Sequence, residues 1–237
     1  MSTEMSENHH ILPDAEERQL PEFNAMQRVK RRFFAMRNGL LAEQMKRHGA
    51  QYKINFGLNL PQIMEIARDF LPGGCEDATL PEEFDRADMA RRLRANDTTR
   101  ESMLIAPMLF PVEQLTVDEA IEWASTAPTA EVVDILCMKL LRNHPDALSI
   151  ATTLLSALAS APVPTSASAP DSVPASVGSD LSRYAGLRLL MNLVQLRRVD
   201  FGKAVELAKR EEARACALTS PLCLQIYEEV EFLSMKL

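Results

Sequence analysis

TVDEAIEWASTAPTAEVVDILCMKLLRNHPDALSIATTLLSALAS, residues 116–160, decides the fold class. Thr116 is placed to cap a helix over Val117–Ser125, Pro128-Thr129 opens a second over Ala130–Arg142, and a third runs from Pro145 to about Ser160. Three short helices separated by turns of a few residues predict antiparallel pairs stacked on one another. Trp123 stands in helical register with Ala120 and Ile121, which fits core packing.

The same grammar extends toward the amino end. Phe23, Met26, Val29, Phe33 and Met36 recur at three- and four-residue steps, and Asn38-Gly39 interrupts the stripe before Leu40, Leu41 and Met45 resume it. His48-Gly49 then stops the helix. YKINFGLNLPQIMEIARDF, Tyr52–Phe70, begins extended and turns helical at Asn59, a cap candidate with Pro61 in the first turn. A breaker-rich connector follows, then a helix over Glu82–Arg94, and Asp97-Thr98-Thr99 forms a capping cluster for a helix that carries Pro107 in its interior. Arg100-Glu101 at that helix start reads as an internal ion pair, with the arginine bridging to the next repeat.

Toward the carboxyl end, residues 160–179 contain six Ser, four Pro and four Ala in twenty places. Such a segment buries too little apolar surface to offset its ordering entropy, so a flexible loop is expected there. Helices are predicted over Tyr184–Val199, Phe201 to about Ala217, and Pro221–Leu237. The expected architecture is all-α: a HEAT-like helical-repeat solenoid, an α-α superhelix of four to six antiparallel helix pairs. A polar, disordered tail is expected over residues 1–20, and one helical domain over 21–237.

Composition narrows the function classes. Gly numbers only 8 in 237 residues, and the helix formers Ala, Leu, Met, Glu and Arg dominate. No long uncharged apolar run and no basic-then-apolar leader is present, so a cytoplasmic location without membrane contact is expected. Cys75, Cys137, Cys216 and Cys223 are scattered without a CxxC pair, which predicts reduced thiols and no metal site. His48 and His144 stand alone near predicted helix ends, where histidine often caps carbonyls. No nucleophile–base set, phosphate loop or cofactor motif is evident.

The charge is uneven. Arg28, Lys30, Arg31, Arg32, Arg37, Lys46, Arg47 and Lys53 face the single acid Glu43, a local balance of +7 in a chain whose net charge is −7. Such a basic segment reads either as a solvated helix face or as a phosphate-binding surface.

RFFAMRNG at Arg32–Gly39, YKINFGLNLPQI at Tyr52–Ile63 and NDTTRESMLIAPMLFP at Asn96–Pro111 resemble a bacterial branch of the AlkD-like DNA alkylation repair family. The resemblance implies a curved stack of helix pairs that holds duplex DNA, alkylated or not, on its concave face without any cofactor. Relatives of this kind release cationic alkylated bases without flipping them out of the stack. They use an Asp on the inner helix of the central repeat, preceded four positions earlier by a Trp. AEVVDILC at Ala130–Cys137 matches that helix and carries the catalytic role over to Asp134, with Ala130 where the family has its aromatic. The family also has an Arg on the inner helix of the next repeat; SRYAGLRLLMNL supplies Arg183 and Arg188, while the register chosen puts Gly186 at the family's arginine. With the amino-terminal cations, Arg183 and Arg188 complete the expected DNA-binding set. The implied function is duplex DNA binding with weak or lost alkylpurine glycosylase activity. The competing reading is a noncatalytic HEAT-repeat scaffold for a protein partner.

Overall fold

The computed structural model describes residues 24–49, 52–74, 80–81, 84–156 and 175–236, so the expected tail over 1–20 lies outside the described residues. Helices are α1 (Ala25–Met36), α2 (Gly39–Arg47), α3 (Leu60–Arg68), α4 (Arg86–Ala95), α5 (Arg100–Leu109), α6 (Val117–Ser125), α7 (Ala130–Lys139), α8 (Ala147–Ser156), α9 (Ala175–Gln195), α10 (Phe201–Glu212) and α11 (Ser220–Ser234). The only β pairing among the described residues is an isolated parallel bridge between Ile54 and Thr99. The chain is an all-α helical-repeat solenoid. Helices α1, α3, α5, α7, α9 and α11 neighbour one another in succession as one layer, and α4, α6, α8 and α10 cover it, with α4 on α5, α8 on α9 and α10 on α11. No described helix is long and apolar enough to cross a membrane.

Local chemistry sets most of the helix starts. Asn24, Asn38, Thr116, Thr129 and Asp200 each accept a backbone N–H of the first turn, and Asn59 forms a reciprocal capping box with Gln62 behind Pro61. Asn38, directly after the Arg37 C-cap of α1, caps α2. His48 closes α2, its Nδ1 lying 2.8 Å from the Gln44 carbonyl oxygen.

Helix starts and ends depart from the sequence expectation at several places. Thr99 occupies the N-cap of α5 without a side-chain cap, its hydroxyl donating instead to Asn96 Oδ1 at 3.5 Å, while the Arg100 N–H donates to the Ile54 carbonyl across the isolated bridge. The helix expected over Ala130–Arg142 stops at Lys139, and a 3-10 turn at Leu141–Asn143 follows. The last helix-length stripe toward Val199 ends at Gln195, where Arg197 adopts a left-handed φ of 54° and the Arg198 N–H reaches the Leu193 carbonyl. Helix α9 already begins at Ala175, inside the expected 160–179 loop, whose earlier part lies outside the described residues.

The helices bury a continuous core from Val29 to Ile226, including Phe33, Ile63, Phe70, Leu104, Val133, Leu154, Leu190 and Leu207. Trp123 is 6% exposed and meets the Phe110 ring edge-on at 5.2 Å, as its register predicted. Gly186 lets α9 approach α8 closely: a Cβ there would stand 2.8 Å from Leu155 Cγ and 2.9 Å from the Ala151 carbonyl oxygen. Along one edge, Arg198 donates to the Arg142 and His144 carbonyls while the buried His144 Nε2 lies 3.0 Å from the Leu115 carbonyl. Because His144 Nδ1 accepts the Asp146 N–H, Nε2 carries the proton and donates to Leu115. The connectors of three successive repeats are tied together in this way.

A buried charge network does the same at the centre. Glu101 is 0% exposed, and its two carboxylate oxygens accept the backbone N–H groups of Phe56 and Leu58. Arg100, 3% exposed, contacts Glu101 at 3.2 Å, donates to the Leu58 carbonyl, and forks onto both oxygens of Glu131 on α7 at 2.5 and 2.9 Å. The pair thus fastens the extended segment before α3 to α5, and α5 to α7. Replacing Arg100→Met leaves Glu101 buried without its cation and should cost about 3–5 kcal/mol in urea unfolding; a loss below about 1 kcal/mol would mean that Glu101 is solvated in the folded chain.

Candidate functional site

Helix α7 is apolar on most of its circumference. Val132, Val133, Ile135, Leu136 and Cys137 are buried, whereas Ala130, Asp134 and Met138, spaced by four, are only half-buried and share one line. Thr129 caps the helix, its hydroxyl accepting the Val132 N–H and sharing a 2.6 Å hydrogen bond with Tyr52. One turn in, Glu131 receives Arg100, and three residues further stands Asp134. The network that fixes α7 therefore fixes the placement of Asp134.

Helix α9 supplies its partners. Tyr184 and Arg188 are four residues apart and project from one face. The Tyr184 hydroxyl donates to Asp134 Oδ1 at 3.0 Å, and Arg188 Nε lies 3.0 Å from the same oxygen. The Arg188 Nε–H is buried and not aligned with that oxygen, so the contact is an ion pair rather than a directed hydrogen bond. Both contacts fall on Oδ1, and the carboxylate remains about one-third exposed at 34%. Burial raises the Asp134 carboxyl above its ordinary range; the Arg188 charge and the Tyr184 hydrogen bond oppose that rise, and Glu131 adds to it. Tyr184 is pushed up to about 12, first by burial and then by the adjacent Asp134, so it stays a protonated donor at neutral pH. Cys137, fully buried one turn from Asp134, is raised by burial and is held as a thiol.

This arrangement offers a partly desolvated anion beside one cation and one neutral donor. Its chemical capacity is to stabilise positive charge that develops next to it. No cluster of His, Cys, Asp or Glu among the described residues could hold a metal ion.

The expected site residues separate into groups. Arg188 meets Asp134, but Arg183 does not: it is 7% exposed, donates to Glu211 at 2.9 Å and also binds Asp180, so its guanidinium is spent inside the fold and it leaves the DNA-binding set. Gly186, the position aligned with the family's arginine, packs on α8, and the arginine beside the acid in this chain is Arg188. Arg28 lies over the Phe70 ring at 5.5 Å, Arg32 binds Glu65 and Asp69 at 3.1 Å each, and Arg47 lies 3.7 Å from Glu43. Lys30, Arg31, Arg37, Lys46 and Lys53 are exposed and have no ion pair among the described residues. None of these eight cations touches Asp134. Lys53 follows Tyr52, whose hydroxyl shares a hydrogen bond with Thr129, the cap of α7. Tyr184 was missed by sequence reasoning, although its four-residue spacing from Arg188 was available.

A family model described as "DNA alkylation repair enzyme" matches residues 29–162, more than half of the chain. The match runs from α1 through α8 and includes Asp134, while Tyr184 and Arg188 lie beyond it. No curated protein and no solved structure matches the chain significantly.

The opposing influences on Asp134 make a graded prediction. Carbon-13 NMR titration of its carboxyl should move further upward in Tyr184→Phe, which loses a donor to the charged form, and more so in Arg188→Met, which loses the larger stabilising charge. Titrations unchanged in both variants would mean that neither group faces the carboxylate in solution.

Proposed function

This chain belongs to the DNA alkylation repair enzyme family, and on that premise we propose that it binds duplex DNA along the layer containing α7 and α9 and promotes, weakly, release of a cationic alkylated base through Asp134. The observation that carries the reading is the half-buried Asp134 carboxylate, held by Arg188 and Tyr184 on a helix of the family-matched segment.

Loss of a cationic base leaves growing positive charge on the sugar, and a fixed carboxylate in a partly desolvated site lowers that barrier electrostatically. Arg188 and Tyr184 hold Oδ1 in place and oppose the upward shift that burial gives the acid, while the side chain stays about one-third exposed. The exposed cations Lys46 and Lys53 supply phosphate contacts. Ala130, one turn before Asp134, offers no ring face to the departing base. A missing cation–π contact of about 0.5–2 kcal/mol lowers the rate roughly two- to thirtyfold.

The test is release of a cationic alkylated purine from duplex DNA. Asp134→Asn keeps the side-chain shape, removes the charge and should abolish release, whereas Ala130→Trp should raise it. Since burial raises the Asp134 pKa, activity should fall on acidification at a higher pH than an ordinary carboxylate would allow. Release that survives Asp134→Asn contradicts the assignment, and a complete absence of release from the native protein supports the scaffold reading instead.

A further inference from the structure

Helix α9 ends in a way that usually calls for glycine. The Arg198 N–H reaches back to the Leu193 carbonyl and the Arg197 N–H to the Val194 carbonyl, the paired bonds of a helix end closed by one left-handed residue. That residue is Arg197, at φ 54°, where an arginine Cβ crowds the backbone and a glycine would not. The side chain that brings this strain is exposed and makes no hydrogen bond or ion pair among the described residues. Its surroundings are cationic. Arg198 donates to the Arg142 and His144 carbonyls and so joins the 3-10 turn after α7 to the end of α9, which puts Arg142, Arg197 and Arg198 on one edge of the layer. The Arg142 guanidinium pairs with no carboxylate among the described residues, and its Nε is buried without a hydrogen-bond partner. Lys139, the last residue of α7, meets the Met64 sulfur at 3.6 Å and no described acid. Of the acids nearby in the chain, Asp200 accepts the Lys203 N–H as the cap of α10, and Asp146 pairs with none of these cations. Such a gathering of like charge repels itself, and an anion relieves it.

Polar side chains lead from Asp134 toward this edge. On α9, where Leu187, Leu190, Leu193 and Val194 are buried, Tyr184, Arg188 and Asn192 recur every four residues along one face. Asn192 is 7% exposed, and its Nδ2 has no hydrogen-bond partner among the described residues. From Asp134 to Arg142 the chain advances about 12 Å at 1.5 Å per residue, the axial rise of about three to four nucleotides in one strand. We propose that Arg142 and Arg197, with Lys139 beside them, hold the phosphate backbone of duplex DNA a few nucleotides beyond the base presented to Asp134. The inference rests on the DNA binding proposed above. It gives the strained arginine a use, since a glycine at residue 197 would relax the helix end and leave the phosphate without its cation.

Binding of undamaged duplex DNA to the full chain across a salt series tests it without relying on base release. Arg197→Gly removes the left-handed strain, so its urea unfolding midpoint should not fall. Its affinity should nevertheless drop about three- to tenfold, and the slope of log affinity against log salt should flatten by about 0.9, the share of one phosphate. Arg197→Lys keeps the charge and should keep the native slope. Arg142→Gln leaves in place the carbonyl that Arg198 holds and should flatten the slope as Arg197→Gly does. Native affinity and slope in both Arg197→Gly and Arg142→Gln, beside weakened binding in Lys46→Gln, would overturn this edge as a phosphate site and leave the wider DNA reading standing. Equal losses in Arg197→Lys and Arg197→Gly would overturn it too, because charge would not be what the position supplies. A native chain that binds no duplex overturns both readings.

Discussion

The buried pairing of Arg100 with Glu101 is the constraint on which the centre of the molecule depends. A carboxylate with no exposed surface is tolerated only when it is paired and hydrogen-bonded, and Glu101 satisfies both conditions by accepting two backbone N–H groups from the extended segment and by lying against Arg100. That arginine must satisfy its remaining donors as well, and it finds Glu131 on the next helix of the layer. One ion pair at a helix start therefore sets the distance and phase between α5 and α7. The extended run before α3, which has almost no sheet partner, owes its conformation to the same pair and to Gly57, where φ is +71° and an added Cβ would stand 2.1 Å from the Asn38 carbonyl oxygen.

The phase of α9 completes the site. At 100° per residue, Arg183 and Arg188 project about 140° apart, which sends one arginine toward α10 and α11 and the other toward α7. The first becomes a core ion pair with Glu211, and the second flanks Asp134. Gly186, about 200° from Arg188, is placed on the far side of the helix, where α8 presses on it. A single rotation of α9 thus assigns a structural arginine, a packing glycine and a site arginine within six residues.

Much of this was legible in the sequence because the signals are local. The caps at Asn59, Thr116 and Thr129, the proline of a first turn and the apolar stripes all act within a few residues, and they placed helices that the structure contains. The Arg100 bridge to the next repeat was readable for the same reason: an adjacent acid and base at the head of an apolar helix have to go somewhere. Asp134 stood out as an acid in VVDIL. What the sequence could not convey was the phase of α9, since the Ser/Pro/Ala-rich stretch between α8 and α9 breaks any count of repeat length and leaves Arg183 and Arg188 equally eligible. Within the capping cluster Asp97-Thr98-Thr99, Thr99 stands at the N-cap of α5 but turns its hydroxyl to Asn96 rather than to the first turn.

The central claim is that DNA lies against the layer that carries Asp134. Backbone and arginine side-chain NMR signals, followed as an alkylated duplex is added, test it without relying on turnover. Shifts are expected at Lys53, along Ala130–Met138 and at Tyr184 and Arg188, including the Arg188 Nε–H. Shifts confined to α4, α6, α8 and α10, the covering helices, would contradict it.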